Sequence, residues 1–275
     1  MITDKDIITL KNNVAECTIS VFGGQVLSYR PLTQKHDIFW LGSLNKFDNV
    51  QPIRGGIPVC WPRFGADNIN LSLPRHGFAR ISQWKIKDLN VEDSKIFVHL
   101  CLDPDNKYQF NALANLFINI TDKFEYTLET HNCGNDEISF SEALHAYFYV
   151  GSRNMSVVKG FNGCEYKNAT DGNVYALNTD LIITEEFDAV FNNHTNNIEI
   201  ADAEFNRIIK ITKEGSKSTV VWNPNKDVAE AKRGQYNNFI CVEPANIGEN
   251  FITLAPNQKH KIYMTIEVKD LGRQR

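Results

Sequence analysis

The clearest indication of the architecture lies in residues 124–129, Phe124-Glu125-Tyr126-Thr127-Leu128-Glu129. Apolar and polar residues alternate strictly there, which is typical of a β-strand with one buried and one solvated face. The same period of two recurs near the C-terminus, in Ile262-Tyr263-Met264-Thr265-Ile266-Glu267-Val268. A helix would repeat its apolar residues every three or four positions, so both stretches predict strands.

The rest of the chain repeats this pattern in short segments. Apolar runs such as Ile96-Phe97-Val98-His99-Leu100 and Thr219-Val220-Val221-Trp222 stand between polar clusters that predict turns. Helical periodicity is scarce, and only residues 227–232 predict a short helix, with Asp227 near its N-terminus. No repeat and no linker divides the chain. We therefore expect one all-β domain over residues 1–275, a sandwich or barrel of many antiparallel strands.

The composition is that of an ordinary globular protein. The 275 residues are 42% hydrophobic and 23% charged, which excludes a disordered or collagen-like chain. Lys and Arg number 29 and Asp and Glu 33, so the formal net charge is −4. A mildly acidic chain has no overall attraction for nucleic acid or anionic membranes, although a local basic pocket can still bind a small anion.

The sequence also predicts a cytoplasmic protein without a cofactor. No apolar run approaches the roughly 20 residues of a membrane helix, and the first residues mix charges where a signal peptide would be basic and then apolar. The six cysteines are scattered without a C-x-x-C pair, so we expect reduced thiols and no metal site. No Walker loop, dinucleotide fingerprint or nucleophile elbow occurs, which leaves acid–base chemistry on a small molecule.

Two histidines stand in unusual contexts. If residues 139–150 form a strand, His145 shares a face with two tyrosines, opposite an apolar face. Such a face suits a sugar, whose C–H groups stack on rings while its hydroxyls form hydrogen bonds. The alternative is that His145 fills a gap between the tyrosines. His76 lies in a positively biased loop, where its imidazole either hydrogen-bonds a ligand oxygen or has no role.

Charged residues complete the set of candidates. Arg54 precedes two glycines, where a guanidinium beside backbone amides can clamp an anion, cap carbonyls or pair with an acid. Glu243 ends an apolar strand and shares its face with Phe239 and Cys241. A carboxylate there is costly unless it is paired or used, and partial burial would raise its pKa toward that of a general base. Asp188 is a weaker candidate, since most acids in such a stretch are merely solvated.

Six short motifs occur in a characteristic order. They are Arg54-Gly55-Gly56-Ile57-Pro58-Val59-Cys60-Trp61-Pro62, His76-Gly77-Phe78-Ala79-Arg80, His145-Ala146-Tyr147-Phe148, Gly160-Phe161-Asn162-Gly163, Val221-Trp222-Asn223-Pro224 and Cys241-Val242-Glu243-Pro244-Ala245. Their order resembles the hexose-6-phosphate mutarotase branch of the aldose 1-epimerase family. Each motif alone is weak, so the order carries the resemblance, which extends over nearly the whole chain.

The resemblance implies a fold and a reaction. The fold is a large antiparallel β-sandwich of the galactose-mutarotase type, and the reaction interconverts the α and β anomers of an aldohexose 6-phosphate, with glucose 6-phosphate expected. Glu243 resembles the general base, which takes the proton of the C1 hydroxyl. His145 resembles the general acid, which protonates the ring oxygen O5. His145 must then be protonated while Glu243 is ionised, which near pH 7 needs only modest changes of their pKa values.

The resemblance also assigns binding residues and implies no cofactor. His76 resembles the second histidine, which hydrogen-bonds the sugar near O5, and Asp188 resembles the acid that holds sugar hydroxyls. Arg54 and Arg80 resemble the phosphate-binding arginines. Ala189 departs from the pattern, because the family often has an arginine directly after the acid.

Other functions remain open. A mutarotase of unphosphorylated aldoses is disfavoured by Arg54, Arg75 and Arg80, because a neutral sugar gains little from clustered guanidinium groups. A non-catalytic sugar-phosphate binder on the same fold would have no need of an acid–base pair. A polysaccharide-processing enzyme would need a long open groove. We expect a small-molecule sugar phosphate as the partner, no nucleic acid or membrane partner, and a monomer.

Overall fold

The computed structural model describes residues 2–4, 6–66, 73–104 and 108–272. Within these ranges the regular structure consists of twenty-two strands and four 3₁₀ helices of three or four residues. The strands are β1 (Ile2–Asp4), β2 (Ile7–Lys11), β3 (Ala15–Ser20), β4 (Gln25–Pro31), β5 (Val59–Cys60), β6 (Lys85–Glu92), β7 (Lys95–Leu102), β8 (Ala112–Ile120), β9 (Phe124–Asn132), β10 (Ile138–Phe140), β11 (Glu142–Leu144), β12 (Tyr147–Tyr149), β13 (Ser156–Lys159), β14 (Cys164–Asn168), β15 (Val174–Leu177), β16 (Phe187–Asn192), β17 (Ile198–Asp202), β18 (Arg207–Glu214), β19 (Ser218–Asn223), β20 (Phe239–Asn246), β21 (Ile252–Leu254) and β22 (Lys259–Asp270). The helices are Ala79–Ile81, Arg153–Met155, Gln235–Asn238 and Gly248–Asn250.

Two eight-stranded antiparallel sheets dominate the molecule. The front sheet has the strand order β15-β14-β16-β19-β20-β11-β5, with β12 also paired to β20. The back sheet has the order β13-β17-β18-β22-β9-β8-β7-β6. A four-stranded sheet of β1 to β4 and the pair β10–β21 complete the fold. The prediction of an all-β antiparallel sandwich is confirmed.

The main core contains side chains from both large sheets. Phe124, Tyr126 and Leu128 of β9 are fully buried in it, as the alternation predicted. Glu125 and Glu129 lie on the opposite face of β9. Glu125 accepts a hydrogen bond of 2.9 Å from a tyrosine hydroxyl, and Glu129 pairs with two lysines. Each fully buried large apolar side chain contributes about 1.5–3 kcal/mol, so the alternation fixes which face of β9 turns inward.

The short helix predicted at residues 227–232 is wrong. This segment forms turns, in which the Ala231 amide donates to the Val228 carbonyl and the Gly234 amide donates to the Asp227 carboxylate. Tertiary contacts explain the difference, because the Glu230 carbonyl accepts the Leu44 amide of a neighbouring loop. Among the described residues, no helix is both long and apolar enough to cross a bilayer.

The centre of the front sheet is buried on both of its faces. Along β20, Ile240 and Val242 point into the main core, whereas Phe239 and Cys241 pack in a separate cluster on the opposite face. The predicted strand over residues 139–150 is divided into β10, β11 and β12, but its alternation persists. The face of the front sheet that points away from the main core therefore carries the polar candidates.

Candidate active site

Strand register brings His145 and Glu243 together. Ala143 of β11 pairs with Ala245 of β20, and Tyr147 of β12 pairs with Cys241. The same alignment puts His145, between β11 and β12, directly opposite Glu243, and directly opposed residues have Cβ atoms about 4.5–5.5 Å apart. The Nδ1 atom of His145 lies 3.3 Å from Oε1 of Glu243.

The neighbouring strands extend this pair into two rows across the front sheet. Both rows follow the register of β16, β19 and β20 and then continue onto the segment that carries His145. The first row is Val190, Val220, Glu243 and His145, and the second is Asp188, Trp222, Cys241 and Tyr147. Residues distant in sequence thus meet on one patch of the sheet.

Aromatic rings support the imidazole of His145. Tyr147 stacks on it with ring centroids 4.8 Å apart and an interplanar angle of 6°. Trp222 meets it edge to face at 5.9 Å. The backbone amide of His145 donates to the Pro58 carbonyl at 3.0 Å. These contacts hold the ring beside Glu243 without using its nitrogens.

Burial moves the pKa values of the pair in opposite directions. It lowers the pKa of His145 well below its usual range, with smaller contributions from His76 and the cationic Arg80. It raises the pKa of Glu243 well above its usual range, and the nearby Asp188 carboxylate adds to this. The expected modest changes are therefore wrong for the protein alone: burial favours a neutral imidazole and a protonated carboxyl. This neutral pair holds the same single proton as the expected ion pair.

His76 faces the pair from a loop. Its ring centroid lies 5.9 Å from that of His145, and its backbone has a left-handed φ of 61°. Burial and the guanidinium groups of Arg80 and Arg75 lower the pKa of His76 to about 3, so the ring is neutral. The Gly65 amide donates to Nδ1 at 3.2 Å. Since a neutral imidazole has one acceptor nitrogen, its proton resides on Nε2.

With its proton on Nε2, His76 brings an N–H group against an N–H group of Arg75. The Nε atom of Arg75 lies 3.2 Å from Nε2 of His76, and both nitrogens then carry hydrogen. The Gly65 amide is fixed in the backbone, whereas Arg75 is exposed, so we assign the acceptor nitrogen of His76 to the Gly65 contact. An oxygen acceptor in the cavity would satisfy both donors at once.

Arg54 is held in place by its own loop. At Gly56, where φ is 62°, an added Cβ would lie 2.0 Å from the Val26 carbonyl oxygen, so the chain requires glycine there. The Arg54 amide donates to the Asn45 side chain at 2.9 Å. Its Nε donates to Glu230 at 3.1 Å, and its Nη1 donates to the Tyr147 hydroxyl at 3.3 Å. Arg54 thus both pairs with an acid and lines the cavity.

Arg80 lies in the 3₁₀ helix Ala79–Ile81. Its Nη2 donates to the Arg75 carbonyl at 2.7 Å, while its buried Nε has no hydrogen-bond partner within the described part of the chain. Desolvation lowers the pKa of the Arg80 guanidinium, which nevertheless remains charged at neutral pH because arginine starts from a very high value. A half-buried guanidinium whose buried Nε still has a hydrogen to donate is a suitable partner for an oxyanion.

Asp188 is half-buried at the end of its row. Its carbonyl accepts the Ala169 amide at 2.8 Å, which fixes the strand beside the cavity. Burial raises the pKa of its carboxyl, and the charge of Arg75 partly offsets this effect. The adjacent Ala189, the departure noted in the sequence, points into the main core.

One open cavity of about 440 Å³ brings these residues together. Its volume lies within the range of small-molecule sites. All six predicted site residues line it: Arg54, His76, Arg80, His145, Asp188 and Glu243. The other lining residues are Phe64, Arg75, Ala169, Val190, Val220 and Trp222. Trp222 could have been singled out from its motif, whereas the small apolar residues carry no signal of their own.

Within the described ranges, one group of three side chains has metal-compatible spacing. It consists of His145, Cys241 and Glu243, whose ligand atoms lie within 4.8 Å of one another. All six cysteines are unpaired thiols.

Comparisons with known proteins agree on one family. The profile described as aldose 1-epimerase matches residues 6–267. A protein of Cenchrus ciliaris named "putative glucose-6-phosphate 1-epimerase" is 32% identical over 260 residues, which cover 88% of this chain and 78% of that protein. A protein of the same name from Escherichia coli K12 is 29% identical, covering 89% of this chain and 84% of the relative.

Solved structures show the same fold. A crystal structure described as a "putative mutarotase (YeaD)" from Salmonella typhimurium superposes with a TM-score of 0.90 at 24% identity. The match covers 98% of this chain and 92% of that one. At this identity the likeness concerns the fold alone.

Proposed function

Because the chain belongs to the aldose 1-epimerase family, we propose that it interconverts the α and β anomers of an aldohexose 6-phosphate, glucose 6-phosphate first among them. The family and the named relatives support an isomerase that acts on a small sugar. The observation that carries the finer proposal is the opposed pair of His145 and Glu243 in a cavity also lined by three arginines.

The proton balance of the pair fits ring opening. In the ionised form, Glu243 takes the C1 hydroxyl proton while His145 gives a proton to O5. The C1–O5 bond breaks, the C1 carbonyl forms, and the pair is left neutral. Burial favours this neutral pair, so the protein stabilises its catalytic groups in the form that accompanies the open-chain aldehyde. Rotation about C1–C2 and the reverse transfers then close the other anomer.

The remaining side chains have binding roles in this proposal. His76 donates its Nε2 hydrogen to a sugar oxygen near O5, and Asp188 accepts hydrogen bonds from sugar hydroxyls. The ring of Trp222 offers an apolar surface for the C–H face of the sugar. No step of the reaction requires a group beyond these side chains and the substrate.

The phosphate is assigned to the arginines. Arg54 is already paired with Glu230, so its charge is partly compensated. Arg80 has a buried Nε with no partner among the described residues, and Nε of Arg75 lies 3.2 Å from Nε2 of His76. We therefore assign the strongest phosphate contacts to Arg80 and Arg75, with Arg54 at the rim of the same subsite.

The cytoplasmic location, the single domain over residues 1–275 and the monomeric state stay predictions.

Two-dimensional exchange NMR on equilibrated glucose 6-phosphate tests the activity. We expect α/β cross-peaks that grow with catalytic amounts of protein. The catalysed exchange rate should fall by roughly 10²–10⁴-fold for Glu243→Gln. Glu249→Gln, the same change at an exposed position near the end of β20, should leave the rate unchanged. Unchanged turnover in Glu243→Gln would overturn the mechanism. Equal turnover of free glucose would overturn the phosphate assignment, and binding of glucose 6-phosphate without enhancement of any sugar would favour the non-catalytic binder.

Arg75→Gln tests the phosphate subsite separately. Losing one charge-assisted contact should reduce kcat/KM for glucose 6-phosphate about tenfold or more, with little change for free glucose. The exposed Arg233→Gln serves as the matched control. An equal loss for both sugars would mean that Arg75 acts through His76 instead of the phosphate.

A further inference from the structure

Three donor atoms of different chemistry meet at one side of the cavity, where His145 and Glu243 line it and the fully buried Cys241 lies beside them. Cys241 and Glu243 lie two residues apart on β20, so their side chains share a face, and His145 lies opposite Glu243. The imidazole nitrogen, the thiol sulfur and a carboxylate oxygen all lie within 4.8 Å of one another. The proposed reaction uses two of these side chains and leaves the thiol without a role.

Two of these side chains hold atoms without a hydrogen-bond partner among the described residues. Nδ1 of His145 and Oε2 of Glu243 are buried and form none, and the Glu243 side chain is only 1% exposed. Buried polar atoms are nearly always paired, so an unpaired nitrogen and an unpaired oxygen in one place indicate a ligand. Cys241 is fully buried and is a free thiol.

We propose that His145, Cys241 and Glu243 form a binding site for a thiophilic divalent metal ion, Zn²⁺ in particular, and that the bound ion blocks mutarotation. Nitrogen, sulfur and oxygen are the donors that Zn²⁺ prefers, at about 2.0–2.3 Å in a tetrahedron. The edges of that tetrahedron are about 3.3–3.8 Å long, and Nδ1 and Oε1 are already 3.3 Å apart. The inhibitory half of this inference rests on the proposed function.

The charges of the cavity are compatible with this site. Cys241 binds as a thiolate and Glu243 as a carboxylate, so two negative charges neutralise the ion and two protons pass to the solvent. The complex as a whole is neutral, and the arginines that line the cavity therefore meet no added positive charge. A tetrahedral ion takes one ligand more than these side chains supply, and a water molecule from the cavity that His145 and Glu243 line would complete it.

Metal binding and catalysis exclude each other in this arrangement. A coordinated Glu243 carboxylate cannot take the C1 hydroxyl proton, and an imidazole bound through Nδ1 cannot also carry a proton there. The ion would thus hold both catalytic groups in an unreactive form.

Cobalt absorption spectroscopy tests the site without reference to activity. Titration of the protein with Co²⁺ should give one equivalent of a thiolate-to-metal charge-transfer band, which Zn²⁺ displaces. Cys241→Ser should lose the band, raise the Zn²⁺ concentration for half-inhibition by roughly tenfold or more, and keep the basal rate. Cys133→Ser is the matched control, because that exposed thiol lies 3.6 Å from a histidine nitrogen and could bind metal by itself.

The outcomes separate the two proposals. No band in the parent protein, a band that survives Cys241→Ser, or a band lost with Cys133→Ser would overturn the metal site. If Cys241→Ser does not fold, Glu243→Gln replaces it and should bind Co²⁺ roughly tenfold more weakly than Glu249→Gln; equal affinity would overturn the site. A Co²⁺ band in a protein that accelerates no sugar would refute the proposed function and retain the metal site.

Discussion

Within the described ranges, two histidine–glutamate pairs lie close together in this protein, and of the two only His145 and Glu243 line the cavity described above. His145 and Glu243 approach to 3.3 Å at the centre of the front sheet. Three residues further along both strands, Glu142 is opposite Asn246, and its carboxylate accepts a hydrogen bond from Asn246 at 2.9 Å and lies 3.0 Å from Nε2 of His260. His260 belongs to β22, so this second pair joins the two large sheets.

The difference between the pairs shows that burial alone does not define an active site. Both glutamates are almost fully buried, and in each one carboxylate oxygen has no hydrogen bond to a described residue. The Glu142 pair is nevertheless fixed by Asn246, which also donates to the Gly215 carbonyl at 2.8 Å. His145 instead lies beside the cavity with an Nδ1 that forms no hydrogen bond to any described residue. The His145–Glu243 pair is therefore distinguished from the Glu142–His260 pair by polar atoms that a ligand in the cavity can reach.

The largest expected contrast is catalytic. His145→Gln should reduce the rate of α/β exchange of glucose 6-phosphate by roughly 10²–10⁴-fold, because glutamine cannot act as a general acid. His260→Gln, the same substitution in the other pair, should keep the rate within about threefold. Exchange NMR on the two variants measures both effects. Equal losses would show that the two pairs act as one catalytic unit.

Stability should show the reverse order. His260→Ala removes the imidazole that lies 3.0 Å from the buried Glu142 carboxyl and that pairs with the Asn246 amide, and the free energy of unfolding should fall by about 1–3 kcal/mol. His145→Ala removes a side chain whose Nδ1 has no hydrogen-bond partner in the described ranges, and the loss should stay below about 1 kcal/mol. Urea unfolding monitored by circular dichroism measures both values. A larger loss for His145→Ala would mean that its ring stacking, and not its chemistry, dominates the site.

The smallest contrast is in the pH dependence of stability. The pKa of Glu243 is raised on folding, so its contribution to stability is present below its unfolded pKa of about 4.3 and is lost as the pH rises through its folded pKa. Glu243→Gln removes this loss. The free energy of unfolding of the variant, relative to the parent, should therefore increase between pH 4 and pH 8. Glu249→Gln should show no such trend, and a trend of the opposite sign would contradict burial as the cause of the raised pKa.

The sequence predicted the strands because alternation is local. Phe124, Tyr126 and Leu128 needed only their neighbours in the chain to indicate an inward face. The candidate site depended on the resemblance, since no local pattern states that His145 is opposite Glu243. That alignment follows from the pairing of β11 and β12 with β20, whose residues lie about a hundred positions apart in the chain.

The missed residues have the same explanation. Glu230, the partner of Arg54, lies in the segment for which a helix was predicted, and its role depends on a loop far away in the chain. The apolar residues Val190 and Val220 line the cavity only because β19 pairs with β20 and β16 pairs in turn with β19. Charges and motifs can be read from a sequence, but which of them meet is determined by strand pairing.

Strand register also determines where this chain can change in length. One residue inserted between Cys241 and Glu243 would turn the carboxylate toward the main core and bring a different residue opposite His145. One residue inserted in the exposed turn at residues 93–94, between β6 and β7 at the far edge of the back sheet, would alter neither row of the site. Insertions and deletions should therefore accumulate along the periphery of the sandwich, while β16, β19 and β20 keep a constant number of residues.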